Sequence, residues 1–341
     1  MRERIVAIAA CSIIFLAVVV IAAITIANSR QLQKAAPGSV NTAPAITEQT
    51  APPPPPPPPK RRFKRPDAED FRADFDYTQV KQLTGSLANY QFKAGILVDL
   101  TNRKVLWEKN SSAAVPIASL TKLLTIYTAF EELEHREEIG LDSLVTVSHE
   151  CSTVNPVRAG LKPGDKIPLH DVFVCAMLKS ANDAAHLIAE YFGYGDSSCF
   201  IDLMNQKAGE IGMASSKFFN ANGLPIYSQN PNDTKMNMAS CQDMVKLIDR
   251  IYDYPMIIRY TRAAQANTKV GNMNNGNRLL GVVPGMEGLK TGYTKAAGHC
   301  LAFSCSRNGR RLVGVVTGFT KRQNCFTFVS RLLEWGYKLT P

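Results

Sequence analysis

The 341 residues hold little that would bind a metal and nothing that marks a nucleic-acid reader. No CxxC pair occurs, and the five histidines include no HExxH, since His149-Glu150 is followed by threonine at 153. Those gaps argue against zinc, and no metal or other cofactor is expected. Aromatic residues make up only 8% of the chain, and the net charge of +10 is dispersed without a nucleic-acid motif. Nucleic acid is therefore disfavoured as a partner class, while an anionic substrate or surface is not. Cysteine is nearly absent from the first 150 positions, with Cys11 alone, and then come Cys151, Cys175, Cys199, Cys241, Cys300, Cys305 and Cys325. That count is odd, and Cys175 and Cys300 lie in apolar runs where a buried thiol is the commoner state, so pairing stays open.

Long apolar runs are missing everywhere but at the front. Ile5 to Ala27 departs from plain hydrocarbon only at Cys11, Ser12 and Thr25, and at about 1.5 Å per residue it can span a bilayer. A secretory signal has a shorter apolar core, so 5–27 reads as a retained transmembrane anchor rather than a cleaved signal. Arg2 and Arg4 before it, against Arg30 and Lys34 after it, tilt the orientation slightly towards a cytoplasmic stub at 1–4. Everything downstream then lies outside the cytoplasm.

Residues 28–76 read as a tether. Pro52 to Pro59 is unbroken, a polyproline rod of about 25 Å, and Lys60 to Arg65 is a solvated basic run. One domain is expected over 77–341.

Within that domain the chemistry starts at Ala118-Ser119-Leu120-Thr121-Lys122. Leu120, Leu123, Leu124, Tyr127, Phe130 and Leu133 recur on one helix face, and Pro116 discourages an earlier start, so a buried helix should begin near Ser119. Ser119 and Lys122, at i and i+3, share a face about 5 to 6 Å apart at Cβ. A serine there also has backbone N–H groups aimed at any negative charge beside it. Two readings fit these residues alone: an acyl-transfer nucleophile with its base, or a capping serine with a lysine that reaches solvent. No other serine in the chain has a lysine three places on.

Periodicity fills in the rest. Gln91–Leu100 and Lys104–Lys109 around Thr101-Asn102-Arg103 predict a hairpin, and Leu144–Val147 predicts an extended segment. Gly160 to Asp165 is a turn that feeds a helix over His170–Leu178, a further apolar stretch runs over Ala184–Phe192, and helices are predicted over 199–214 and 238–252. Period two returns at Gly288–Thr294, His299–Ser306 and Arg311–Phe319, with Asn308-Gly309 as a hairpin turn, before an amphipathic helix from Phe326 to Trp335. Strands at both ends with helices between them predict an α+β fold, an antiparallel sheet with an inserted all-helical lobe.

Ser119-x-x-Lys122, Ser180-x-Asn182 and Lys290-Thr291-Gly292 occur in the order used by penicillin-recognising serine enzymes. Each is weak alone, and Ser306-Arg-Asn308 repeats the second pattern out of order. The surrounding Pro116-Ile-Ala-Ser-Leu-Thr-Lys, Ala159-Gly-Leu-Lys-Pro-Gly-Asp, Met177-Leu-Lys-Ser-Ala-Asn-Asp-Ala-Ala, Asn222-Gly-Leu and Gly288-Leu-Lys-Thr-Gly-Tyr-Thr-Lys are closer still. From about residue 80 to 337 the chain resembles the D-alanyl-D-alanine carboxypeptidases, the low-molecular-mass penicillin-binding proteins.

That resemblance implies a five-stranded antiparallel sheet flanked by helices, with the active site where the helical subdomain meets it. It implies that Ser119 attacks the penultimate D-alanine of a peptidoglycan stem pentapeptide, that Lys122 takes its proton, and that Ser180 relays a proton to the leaving amine. Asn182 would hold Lys122 and the substrate amide. Lys290 and Thr291 would bind the terminal carboxylate, Gly292 would let its strand come close, and the N–H groups of Ser119 and Tyr293 would receive the oxyanion. β-Lactams would be covalent inhibitors. Three alternatives stand beside this reading. A D,D-endopeptidase uses the same residues, a non-catalytic wall or penicillin sensor would not need nucleophile and base together, and a class A β-lactamase would need a glutamate that Glu210-Ile-Gly-Met-Ala214 does not supply in the right pattern.

Overall fold

The computed structural model describes residues 74–339. The apolar run at 5–27 and nearly all of the tether lie outside the described residues. Among the described residues no helix is long and apolar enough to cross a membrane. Packing begins within the stretch expected to be tether: Asp76 N donates to Arg103 O and Val105 N donates to Asp76 O, both at 2.8 Å, and the Arg103 guanidinium lies 4.4 Å from the Phe75 ring centre.

The predicted first hairpin is β1 (Ala94–Asp99) and β2 (Lys104–Lys109). Helix α1 (Thr121–Glu134) follows a single 3-10 turn over Ala118–Leu120, so the tight turn, not the α-helix itself, carries Ser119. Short helices α2 (His149–Thr153) and α3 (Leu169–Val174) come next, α3 running into a π turn over Cys175–Lys179. Then come α4 (Asn182–Phe192), α5 (Ser197–Glu210), α6 (Cys241–Ile251) and α7 (Pro255–Arg262). The chain closes with β3 (Met286–Thr294), β4 (Gly298–Arg307), β5 (Arg310–Phe319) and α8 (Arg322–Lys338).

The sheet order is β2-β1-β5-β4-β3, antiparallel throughout, with Ile96 opposite Val315 and Val315 opposite Ala302. First and last strands of the sequence are thus neighbours, as the two-ended strand pattern predicts. Alternation explains why the sheet is covered on both faces. Ile96, Val98, Ala302, Val313 and Val315 enter the core shared with the helical lobe, whereas Leu97, Leu301, Phe303, Leu312 and Val316 enter a second core under Phe328, Val329, Leu332 and Leu333 of α8. Full burial of each such side chain contributes about 1.5 to 3 kcal/mol.

Three details depart from the sequence pattern. Lys166–Pro168 is a strand paired with Leu144–Thr146 before α3 begins, so the turn at 160–165 feeds a two-stranded ribbon first. Met238–Ala239 pairs with Val115–Pro116, and α6 starts only after Ser240, whose hydroxyl accepts from Asp243 N and caps it. Finally, α7 and a small hairpin over 265–274 fill a region in which no element was predicted.

Candidate active site

The backbone around Ser119 is held by close approach. Ala118 has φ +48°, a left-handed conformation that costs a non-glycine residue energy, and two glycines make room for the turn it creates. A Cβ on Gly223 would lie 2.1 Å from Ala118 O, and one on Gly292 would lie 3.1 Å from Ser119 N. The loop at 220–223 and strand β3 therefore grip the two sides of the Ser119 turn.

Lys122 is the second residue of α1, a helix buried on nearly all sides, and is only 1% exposed. The solvent-reaching alternative is thereby excluded. Its Nζ lies 3.0 Å from Ser119 Oγ, 2.7 Å from Asn182 Oδ1 and 2.7 Å from Asn222 O. A neutral amine has two N–H donors and one lone pair, which fits two oxygen acceptors and one hydroxyl that donates. Burial first, and then the charge of Lys290, hold the Lys122 pKa well below the usual lysine value, while Asp183 pulls more weakly the other way. Lys290, 2% exposed, is itself pushed down to about 7 by burial. The two amines share a pocket that disfavours charging both.

Asn182 is aimed from its far side. Its N donates to Val157 O at 2.8 Å and its Nδ2 donates to Pro156 O. Asp183 next to it is fully buried and accepts from the N–H groups of Ala159, Gly160, Leu161 and Ala184 at 2.8 to 3.3 Å. The segment at 156–161 is in this way tied to the N-terminus of α4. Ser180, two residues earlier, has left-handed backbone (φ +63°) after the π turn; it is half-buried, and its hydroxyl makes no hydrogen bond within the described residues.

On the sheet side, Lys290, Thr291 and Gly292 stand on edge strand β3 opposite Ala302, Leu301 and Cys300. Thr291 is half-buried, its hydroxyl without a hydrogen bond among the described residues, and Tyr293 is 59% exposed, its ring stacked on His299 at 4.4 Å. Direct contact thus unites Ser119, Lys122 and Asn182, close packing adds Gly292, and charge adds Lys290. Ser180, Thr291 and Tyr293 keep their side chains available to a ligand.

Several participants went unseen in the sequence. Asn222 contributes a backbone carbonyl, which side-chain motifs do not encode. Asn237 Nδ2 donates to Thr121 Oγ1 at 3.0 Å and to Asn220 O at 2.8 Å, and Thr125 Oγ1 donates to Ala221 O at 2.7 Å, so the 220–223 loop is laced to α1. The Asn222-Gly223 turn was the one visible hint. Arg322, at the start of α8, donates to Gly276 O at 2.8 Å beside Thr291 and adds positive charge near β3.

A five-stranded antiparallel sheet whose edge strand faces a buried lysine and a serine on the helical lobe defines the DD-peptidase and penicillin-binding class of folds. Comparison with known proteins takes this one step further: the D-alanyl-D-alanine carboxypeptidase family profile matches residues 81–321, and the chain belongs to that family. It is 32% identical over 254 residues to D-alanyl-D-alanine carboxypeptidase DacC of Escherichia coli, covering 72% of this chain and 61% of that protein. It is 26% identical over 216 residues to a D-alanyl-D-alanine endopeptidase of Pseudomonas aeruginosa, covering 61% and 65%. The chain thus spans less than two thirds of the length of either curated relative. Among solved structures it is similar to penicillin-binding protein D2 of Listeria monocytogenes in its ampicillin-bound form, at TM-score 0.65 and 26% identity over 73% of this chain and 99% of that one.

Proposed function

We propose that the domain is a serine-type D-alanyl-D-alanine carboxypeptidase that removes the terminal D-alanine from peptidoglycan stem pentapeptides. One observation carries the reading: a lysine amine that burial drives towards neutrality lies 3.0 Å from the Ser119 hydroxyl. As the peptide carbonyl is attacked, Ser119 Oγ forms the new C–O bond and its proton passes to Lys122 Nζ. Asn182 Oδ1 and Asn222 O hold that amine in place while it accepts. The C–N bond then breaks, the leaving D-alanine amine takes a proton through Ser180, and water releases the acyl group from Ser119. Lys290 and Thr291 receive the terminal carboxylate, an anion that would favour the charged form of Lys290.

The Listeria relative binds ampicillin, and the same reaction on a β-lactam ring would leave Ser119 acylated here. Fluorescent penicillin should label the wild type and not Ser119→Ala, and only the wild type should release D-alanine from a pentapeptide. Equal labelling of both would sink the assignment. The endopeptidase relative supports a second substrate, cross-linked dimers, which competition between pentapeptide and dimer resolves.

The apolar run at 5–27 supports a domain held outside the cytoplasm by an N-terminal membrane anchor. Resistance of the domain to protease added to spheroplasts, with cleavage after their lysis, would overturn that placement.

A further inference from the structure

We propose that Glu150, His186 and Glu190 form a binding site for a divalent transition-metal cation of the zinc type. The three residues come from two elements: Glu150 from the first turn of α2, His186 and Glu190 from one face of α4 at i and i+4. Their ligand atoms all lie within 4.8 Å of one another.

Two observations separate this cluster from an ordinary surface ion pair. The first is a nitrogen short of a hydrogen bond: His186 Nε2 is buried and makes none among the described residues, its contacts being ion pairs with Glu190 Oε1 at 3.3 Å and Glu150 Oε1 at 3.5 Å. The two distances from the ring nitrogen are what a shared ion needs. With metal–ligand bonds of about 2.0 to 2.1 Å, the corners of a tetrahedron stand roughly 3.3 to 3.4 Å apart. The second is charge: among the described residues neither carboxylate pairs with a lysine or an arginine, so two acidic groups converge on a neutral or singly charged ring. A doubly charged ion satisfies all three groups at once.

The site is also supported and accessible. Ser148 Oγ donates to the Glu190 carboxylate, at 2.8 and 2.7 Å from its two oxygens, which fixes the buried ligand in orientation. The Glu190 side chain is 11% exposed and that of His186 16%, whereas Glu150 is 76% exposed and leaves an entry path and a position for water. Imidazole with two carboxylates suits zinc better than calcium or magnesium, which prefer oxygen alone. An ion here would bind α2 to α4 one helical turn from Asn182. It would thus tie α2 to the helix that Asp183 already joins to the 159–161 segment. Sequence spacing conceals the site because Glu150 lies far along the chain from the other two ligands.

The test uses the full chain carrying Cys11→Ser and Cys199→Ser, which leaves only buried thiols. Equilibrium dialysis against micromolar zinc should give one ion per chain, and zinc should raise the melting temperature. Glu150→Gln and His186→Gln should each weaken binding at least tenfold and abolish the rise in melting temperature. Glu150 is exposed, so its metal-free variant should melt where the parent does, which distinguishes a lost site from a lost fold. Cobalt(II) should give visible ligand-field bands without the near-ultraviolet charge transfer of a thiolate. No bound zinc in the parent, binding unchanged in both variants, or a thiolate band with cobalt would each overturn the proposal.

Discussion

Replacing Asn182 by aspartate changes one charge in the contact that matters most, and almost nothing of its shape. Asn182 Oδ1 lies 2.7 Å from Lys122 Nζ in a pocket where Lys122 is 1% exposed. A carboxylate there, its charge about 4 Å from the ammonium, favours the protonated amine by about 4 kcal/mol at an effective dielectric of about 20. At about 1.4 kcal/mol for each tenfold, the neutral fraction on the rising limb of the pH profile falls roughly a thousandfold. The sign follows from the chemistry. Only the neutral amine can take the Ser119 proton, so acylation rises as pH rises through the depressed Lys122 pKa, and Asn182→Asp moves that limb to higher pH. Stopped-flow acylation by a fluorescent penicillin, measured across pH, reads the shift directly. Asn182→Ala is the comparison: it removes the acceptor without adding charge, leaving one buried N–H unpaired, a cost of about 1 to 3 kcal/mol with no large displacement of the limb. Both variants lose the Nδ2 bond to Pro156 O, so their melting temperatures must be recorded beside the rates. If the aspartate and alanine variants slow acylation equally with superimposable pH profiles, Lys122 is not the base.

Four further outcomes follow from the same structure. Gly223→Ala puts a Cβ 2.1 Å from Ala118 O at φ +88° and should slow penicillin labelling at least a hundredfold while lowering the melting temperature; near-native labelling would show that the loop does not grip the turn. Burial pushes the Lys290 pKa down from its ordinary 10.5 to about 7, so the unfolded chain binds the extra proton between those values and wild-type stability should rise with pH there relative to Lys290→Met. Urea unfolding at pH 7 and pH 9.5 checks that sign, and a constant difference between the two proteins would refute it. Glu287 accepts from Tyr252 at 2.8 Å, Ser304 at 2.9 Å and Arg311 at 3.0 Å, so Glu287→Ala should cost about 3 to 5 kcal/mol in the same assay. Cys199 is the exposed thiol among seven free cysteines in the described residues, and brief alkylation of the native protein followed by peptide mapping should modify it and spare Cys151, Cys175, Cys241, Cys300, Cys305 and Cys325.

What could be seen in the residues beforehand was whatever local periodicity and spacing encode. Alternation announced all five strands of the sheet, and because they stand at both ends of the domain with helices between them, the pairing of the terminal segments and the inserted helical lobe followed. Ser119 and Lys122 could be placed on one face because i and i+3 fix a distance through helix geometry alone. Long-range contacts were silent. Asn222 reaches Lys122 through a main-chain carbonyl, which any residue possesses, so no side-chain pattern could disclose it. The π turn that presents Ser180 reads as plain helix, since widening one turn alters hydrogen bonding without altering apolar spacing. The same blindness explains the false start at Ser119: the α-helix begins at Thr121 because Ala118 takes a left-handed backbone that two glycines, 69 positions apart in sequence, make room for. Each of those glycines looks ordinary in isolation. Their meaning lies in the backbone atoms they let pass, and that is why a site whose chemical groups were legible from spacing still depended, for its geometry, on residues whose chief contribution is to have no side chain.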